Sequence, residues 1–114
     1  MLKGLPNTLT DVEWDSAVRF FEGKCAYCGK AGKTLTQDHF IPLSKGGGYT
    51  ADNIIPACGS CNSSKKNRWF EDWYPKNKNY SMKREEKIYL YLRKQKEKQK
   101  KDFAKIRPEA AFAA

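Results

Sequence analysis

The sequence lacks long apolar segments, and this absence excludes a protein that spans a membrane. Its apolar runs are short, such as Phe40–Leu43 and Ile54–Cys58, whereas a transmembrane helix needs ~18 or more consecutive apolar residues. Met1–Thr10 also lacks the apolar core that a secretory signal peptide carries. We therefore expect an intracellular protein with no membrane partner.

Acidic residues are scarce as well. The 114 residues include 13 Asp and Glu against 22 Lys and Arg, which gives a formal net charge of +9 and an isoelectric point near 9.4. Residues 1–75 hold nine basic and eight acidic residues, whereas residues 76–114 hold thirteen and five. A nearly neutral core with a basic arm is typical of a protein that binds a polyanion. Only 39% of the chain is hydrophobic, so a core of this size benefits from an additional cross-link.

The four cysteines form two matched pairs. Cys25 and Cys28 make one Cys-x-x-Cys pair and Cys58 and Cys61 make the other, with twenty-nine residues between them. In an intracellular protein this spacing is typical of a zinc site with four cysteine ligands. Four thiolates saturate a tetrahedral zinc ion, so the ion would be structural rather than catalytic. The alternatives are a redox motif, which would form disulfides and bind no zinc, or buried free thiols.

The segment between and after the cysteine pairs predicts two strands, a loop and a helix. β-Branched and aromatic residues favour a strand over Thr34–Ile41. Three consecutive glycines place Ser44–Asn53 in a loop. A second, short strand is predicted at Ile54–Ile55, where Pro56 would end it, and Gly59–Arg68 has the composition of a helix.

His39 is the only histidine, and its neighbours give it a specific context. Asp38 precedes it, Asn53 lies before the second strand, and Cys58–Lys65 has the pattern Cys-x-x-Cys-Asn-x-x-Lys. A lone histidine is usually a surface or core residue, but this ordered set resembles the HNH endonuclease family over residues 24–66. The resemblance implies a ββα-metal (His-Me finger) fold and metal-dependent hydrolysis of DNA in a bacterial or phage cytoplasm.

The resemblance also implies a role for each of these residues. His39 would activate a water molecule, and Asn53 would orient the His39 ring through a hydrogen bond. Asp38 and Asn62 would hold a divalent cation, and two oxygen donors favour Mg²⁺ or Mn²⁺. The commonest family pattern has histidine where this sequence has Asn62. Because adjacent strand residues point to opposite faces, Asp38 could face the metal while His39 faces the water.

Basic residues follow Asn62 along the chain. Lys65 and Lys66 lie one turn further along the predicted helix, and together with Arg68 they are expected to contact DNA phosphates. The alternative is that these side chains only face water. The sequence contains no helix-turn-helix pattern, so we expect little sequence specificity. One catalytic centre cuts one strand at a time, so a monomer would nick DNA, and a weak homodimer or two successive events would break both strands.

Two helices are predicted outside the central segment. Thr10 and Glu13 form a capping-box pattern that begins a helix over Asp11–Glu22, and its apolar face is expected to pack on the zinc core. A long basic helix is predicted over Ser81–Ile106; attraction to phosphates, a solvated face and weak self-pairing are its alternative interpretations. The aromatic residues within Trp69–Tyr74 are expected to pack against the first helix rather than stack on bases.

These features together predict an α+β fold in three parts. Residues 1–23 would form a helical segment, residues 24–75 a nuclease core with one structural Zn²⁺, and residues 76–114 a basic helical arm and tail. The expected function is that of a metal-dependent HNH endonuclease. The alternative is a catalytically inactive, zinc-stabilised DNA-binding module.

Overall fold

The computed structural model describes residues 4–106, and the side chains of its last helix as far as Lys101. The part of the predicted tail beyond residue 106 lies outside the described residues. The fold is α+β with a two-stranded sheet and four α-helices. Along the chain these are α1 (Asp11–Phe20), β1 (Leu35–His39), β2 (Ile54–Cys58), α2 (Gly59–Lys65), α3 (Phe70–Trp73) and α4 (Met82–Ile106). None of the described helices has the length and apolar composition needed to cross a bilayer.

The two strands and α2 form the predicted ββα core. The strands are antiparallel, with Leu35 opposite Cys58 and His39 opposite Ile54. β2 continues to Cys58, so the prediction that Pro56 ends this strand is wrong. The carbonyl of Pro56 accepts a hydrogen bond from the amide of Ala26 at 2.9 Å. Since the nitrogen and carbonyl of a strand residue point to the same side, the missing N–H of Pro56 faces away from β1.

Helix α1 begins as predicted and ends earlier. The Thr10 hydroxyl accepts from the Glu13 amide at 3.1 Å, and the Glu13 carboxylate accepts from the Thr10 amide at 2.9 Å. The helix ends at Phe20, two residues before the predicted end. The amide of Gly23 donates to the carbonyl of Val18 at 2.9 Å, a bond typical of a glycine-containing helix terminus.

Two elements of the core are also shorter than predicted. β1 ends at His39 because Ile41 bonds through its amide and carbonyl to the side chain of Asn53. α2 ends at Lys65 because Lys66 adopts a left-handed φ of 53°. The turn after β1 and the turn after α2 lie beside each other, and together they shape the surface next to His39.

One hydrophobic core joins α1 and α4 to the cysteine region. Ala17 and Phe21 contribute from α1 and its end, and Ile88, Tyr91 and Leu92 contribute from α4; all five are buried. Helix α1 and its end therefore share one core cluster with the four cysteines. Beyond Leu92, nearly all of the described side chains of α4 are exposed.

The aromatic residues after α2 belong to the same core but not to the expected part of it. Phe70, Trp73 and Tyr74 are buried, and their rings surround Tyr27, with ring centroids 4.9–5.9 Å from it. No aromatic pair of the described residues joins them to α1, whose terminal phenylalanines contact Tyr91 of α4. Trp69 remains partly exposed at the surface.

Candidate functional site

The two cysteine pairs converge on one point at the Leu35 end of the sheet. The Sγ atoms of Cys25, Cys28, Cys58 and Cys61 lie within 4.8 Å of one another, and all four thiols are free. The Sγ atoms of Cys28 and Cys58 are 3.9 Å apart. Zn–S bonds of ~2.3 Å give a sulfur–sulfur edge of about 3.8 Å in a tetrahedron. The cluster therefore fits a structural Zn²⁺.

Burial makes two of the four thiols harder to ionise. Burial raises the pKa of the Cys25 thiol, although amides including those of Tyr27 and Cys28 oppose this change. Burial likewise raises the pKa of Cys61, and negative charge on the other cysteines adds to the effect. Without a cation these thiols would remain protonated at neutral pH. A bound Zn²⁺ would favour the thiolate forms and compensate their charge.

A second site lies beside the His39 end of β1, where an open cleft of about 440 Å³ is found. β1 brings Asp38 and His39 to the cleft, α2 brings Asn62, and the turn after α2 brings Lys66. The structure thus gathers four of the residues predicted from the sequence. The remaining lining residues are Gln37, Pro42, Leu43, Ser44 and Asn67.

Asp38 is the buried member of this cleft, with 3% of its surface exposed. Its Oδ2 atom accepts a hydrogen bond from the Tyr27 hydroxyl and lies 3.4 Å from the ammonium of Lys65. Burial raises the pKa of the Asp38 carboxyl, while Lys65 and Tyr27 oppose this change. Every described side-chain nitrogen or oxygen that is sealed from solvent has a partner. No described residue bonds to Oδ1, so this oxygen is accessible to solvent, and the cleft is the pocket that Asp38 lines.

His39 is half-buried and its ring nitrogens make no hydrogen bond to any residue of the described chain. Burial lowers the pKa of the imidazole, and the positive charge of Lys65 lowers it further, while Asp38 raises it. The ring is consequently neutral at pH 7. A neutral imidazole with an unbonded nitrogen can accept a proton from water.

Asn62 has an orientation that its neighbours determine. The hydroxyl of Thr36 donates to the carbonyl of Ala57 at 2.8 Å, so towards Asn62 it can only accept. Nδ2 of Asn62 is therefore the atom that donates to the Thr36 hydroxyl, at 2.9 Å. Oδ1 of Asn62 has no hydrogen-bond partner among the described residues. Asp38 and Asn62 each offer one unbonded oxygen, and such donors fit Mg²⁺ or Mn²⁺.

Asn53 does not form the predicted hydrogen bond to His39. Its Oδ1 accepts from the amide of Ile41 at 2.8 Å, and its Nδ2 donates to the carbonyls of Ile41 at 3.1 Å and Gly48 at 2.9 Å. These bonds attach the glycine-rich loop to the turn after His39. Asn53 therefore holds the backbone that follows His39, and the predicted hydrogen bond to the ring is wrong.

Lys65 is not on the exposed helix face where the sequence predicted it. Its side chain has no exposed surface, and its ammonium donates to the carbonyls of His39 at 2.8 Å and Phe40 at 3.0 Å. Burial lowers the pKa of Lys65, and the adjacent Asp38 carboxylate opposes this change. From this position Lys65 cannot reach a DNA phosphate, so the predicted phosphate contact is wrong. Lys66, the next residue, is exposed and lines the cleft.

Two other residues complete the comparison with the sequence predictions. Arg68 is exposed but lines a separate depression beside Ser64 and Trp73, so it lies outside the cleft. Tyr27, which bonds to Asp38, was not predicted. No spacing rule identifies it, because the pattern of a cysteine pair leaves the two residues between the cysteines unspecified.

A larger groove, of about 1030 Å³, lies between α4 and the glycine-rich loop. It contains Asn53 but none of the unbonded oxygen or imidazole groups of the smaller cleft. Its charged lining residues are of both signs: Glu13, Asp52, Arg93 and Lys96. Size alone therefore does not identify the chemical site, and the smaller cleft is the better candidate.

Known proteins of similar sequence indicate the HNH endonuclease family. Residues 25–68 match the family model described as HNH endonuclease, which confirms the resemblance seen in the sequence. The "SPbeta prophage-derived putative HNH endonuclease YoqL" of Bacillus subtilis strain 168 is 39% identical over 107 residues, which cover 80% of this chain and 44% of that protein. "Protein ea31" of Escherichia phage lambda is 35% identical over 49 residues, 41% of this chain and 17% of that protein. The chain spans less than half the length of either relative.

Proposed function

We propose, from the HNH domain at residues 25–68, that this chain is a metal-dependent endonuclease that hydrolyses DNA phosphodiester bonds. One observation carries the proposal: His39, Asp38 and Asn62 line a single open cleft. The imidazole of His39 and one oxygen of each of the other two side chains have no hydrogen-bond partner among the described residues. A module that only bound DNA would not need these three groups together.

His39 accepts the proton of the attacking water. Its imidazole is neutral, because burial lowers its pKa. Its backbone carbonyl is held by the Lys65 ammonium at 2.8 Å, and the following turn is held by Asn53. General-base catalysis of this kind contributes roughly 10²–10⁴ in rate.

Asp38 and Asn62 would hold the divalent cation, Mg²⁺ or Mn²⁺, which would act as a Lewis acid on the scissile phosphate. Asp38 is the only acidic residue among the described residues that line the cleft, and the ammonium of Lys65 balances part of its charge. These two residues alone therefore give modest cation affinity, which the phosphate of the substrate increases.

Lys66 and the exposed part of α4 attract the DNA backbone. Lys66 is exposed at the cleft itself, and Arg68 adds positive charge outside it. Residues 93–101 of α4 contain six basic residues and one acidic residue. Contacts with phosphates carry no base information, so the enzyme has little sequence preference. As a monomer it nicks one strand at a time; a weak homodimer would allow cleavage of both strands.

A plasmid assay tests this function. Zinc-loaded protein is incubated with supercoiled plasmid in Mg²⁺, Mn²⁺ or EDTA, beside the variants Asn62→Ala and Ser63→Ala. Open circles should form with metal, with Ser63→Ala as active as the wild type and Asn62→Ala strongly impaired. Ser63 is the matched control because it is the exposed neighbour of Asn62 on α2 and does not line the cleft.

The second candidate function is a catalytically inactive, zinc-stabilised DNA-binding module, which the exposed basic part of α4 favours. It predicts that the plasmid is retarded in a gel but never cut under any metal condition. Cleavage that continues undiminished in EDTA would instead contradict metal dependence.

A further inference from the structure

Tyr27 joins the zinc region to the nuclease cleft. It lies between Cys25 and Cys28, and its side chain is fully buried. Its hydroxyl donates to Oδ2 of Asp38, and no other residue of the described chain accepts from it. A phenylalanine would fill the same space without burying a hydroxyl. The hydroxyl therefore has one partner, the carboxylate that the proposed function assigns to the metal.

The backbone and ring of Tyr27 are themselves fixed. Its carbonyl accepts hydrogen bonds from the Tyr74 hydroxyl and from Nε of Arg84, each at 2.7 Å. Its ring packs edge-on against Trp73, with ring centroids 4.9 Å apart, and stacks with Phe70 at 5.9 Å. Cys28, the next residue, belongs to the cysteine cluster, and the core surrounds the Tyr27 ring. The Tyr27 hydroxyl therefore has a defined position.

One oxygen of the Asp38 carboxylate is held on two sides. The Tyr27 hydroxyl donates to Oδ2, and the Lys65 ammonium lies 3.4 Å from the same atom. Oδ1 has no hydrogen-bond partner among the described residues.

We propose that Tyr27 is a positioning residue of the nuclease centre: its hydroxyl holds Oδ2 of Asp38 and thereby presents Oδ1 to the divalent cation. The proposal rests on the proposed function, because it takes Asp38 as a cation ligand. It assigns to the first cysteine pair a task besides zinc binding, since a residue between Cys25 and Cys28 orients the ligand of a different metal.

Mn²⁺ binding without DNA tests the role of this hydroxyl. Tyr27→Phe removes one buried hydroxyl that bonds to Asp38. Tyr74→Phe removes one that bonds to the Tyr27 carbonyl, which Nε of Arg84 still holds. Free Mn²⁺ is measured by electron paramagnetic resonance in titrations of the zinc-loaded proteins. Loss of a group that orients a metal ligand typically costs about 10–100-fold in affinity. We expect that loss for Tyr27→Phe and wild-type affinity for Tyr74→Phe, with the same zinc content in both.

Two results would overturn the proposal while the proposed function stands, provided that the wild type binds Mn²⁺ and nicks plasmid. One is a Tyr27→Phe affinity within about twofold of that of Tyr74→Phe, well short of the expected loss. The other is loss of zinc from Tyr27→Phe alone, because the hydroxyl would then be structural. A wild-type protein that neither binds Mn²⁺ nor cuts DNA overturns both the function and this role.

Discussion

Removing the charge of Lys65 should cost the fold rather than DNA binding. The buried ammonium bonds to the carbonyls of His39 and Phe40 and lies 3.4 Å from Asp38. Lys65→Met keeps much of the side-chain length but leaves the Asp38 carboxylate buried without its cation. Breaking a buried ion pair by removing one partner costs about 3–5 kcal/mol. Lys66→Met removes the same charge from an exposed side chain, where the cost is within about 0.5 kcal/mol.

Thermal unfolding in excess zinc can resolve the expected difference in stability between Lys65→Met and Lys66→Met. A domain of ~100 residues unfolds with an entropy of about 0.2 kcal/mol/K, so Lys65→Met should lower the melting temperature by roughly 15–25 °C. Lys66→Met should change it by only about 2 °C. Circular dichroism at a fixed zinc concentration measures both values.

DNA binding should rank the two variants in the opposite order. Lys66→Met should reduce the slope of log affinity against log salt concentration by about one, as expected for a lost phosphate contact. Lys65→Met, studied below its melting temperature, should keep the wild-type slope. The reasoning is refuted if both variants are equally stable, or if Lys65→Met loses as much slope as Lys66→Met.

Three further predictions concern other parts of the structure. Cys58→Ser should remain unfolded and zinc-free, because zinc binding contributes about 10–16 kcal/mol in such sites; a folded, zinc-free variant in circular dichroism and metal analysis would contradict this. Gly47→Ala should destabilise the protein in urea by about 1–3 kcal/mol or more, because a Cβ there would lie 1.7 Å from the Ile41 carbonyl oxygen. Gly59→Ala is the control, because a Cβ at Gly59 would meet no atom within 4 Å. Equal urea midpoints for the two variants would refute the close approach of Gly47 to Ile41. Asn53→Ala loses three hydrogen bonds to the backbone and should cost about 2–4 kcal/mol and slow plasmid nicking; undiminished nicking would show that His39 does not depend on this clamp.

The features that the sequence predicted correctly depend on local patterns. The capping box of Thr10 and Glu13 needs only residues three apart, and the ββα order follows from β-branched runs, glycines and helix formers. The cysteine pairs are informative at long range because a zinc cluster needs four thiols in one place. The family resemblance then identified His39 and Asp38, which the structure brings to one cleft.

The features that the sequence missed depend on how these elements pack. Helix periodicity places Lys65 near Asn62, but it does not reveal which of these residues faces the sheet. The rotation of α2 buries Lys65 against Asp38, and this rotation is set by the tertiary contacts. The partner of Tyr27 lies eleven residues away in the sequence, at a distance that no periodicity covers. Pro56 was misjudged because a two-stranded sheet leaves one side of each strand unpaired.

The most direct test of the central claim compares the wild type with His39→Ala at equal zinc content, in two assays. One measures nicking of supercoiled plasmid in Mn²⁺, and the other measures DNA affinity by fluorescence anisotropy without added Mg²⁺ or Mn²⁺, so that the structural zinc is kept. The account predicts that nicking falls by roughly 10²–10⁴ while DNA affinity and melting temperature are unchanged. A His39→Ala protein that nicks at the wild-type rate would contradict the account, because the cleft would then not be the catalytic centre.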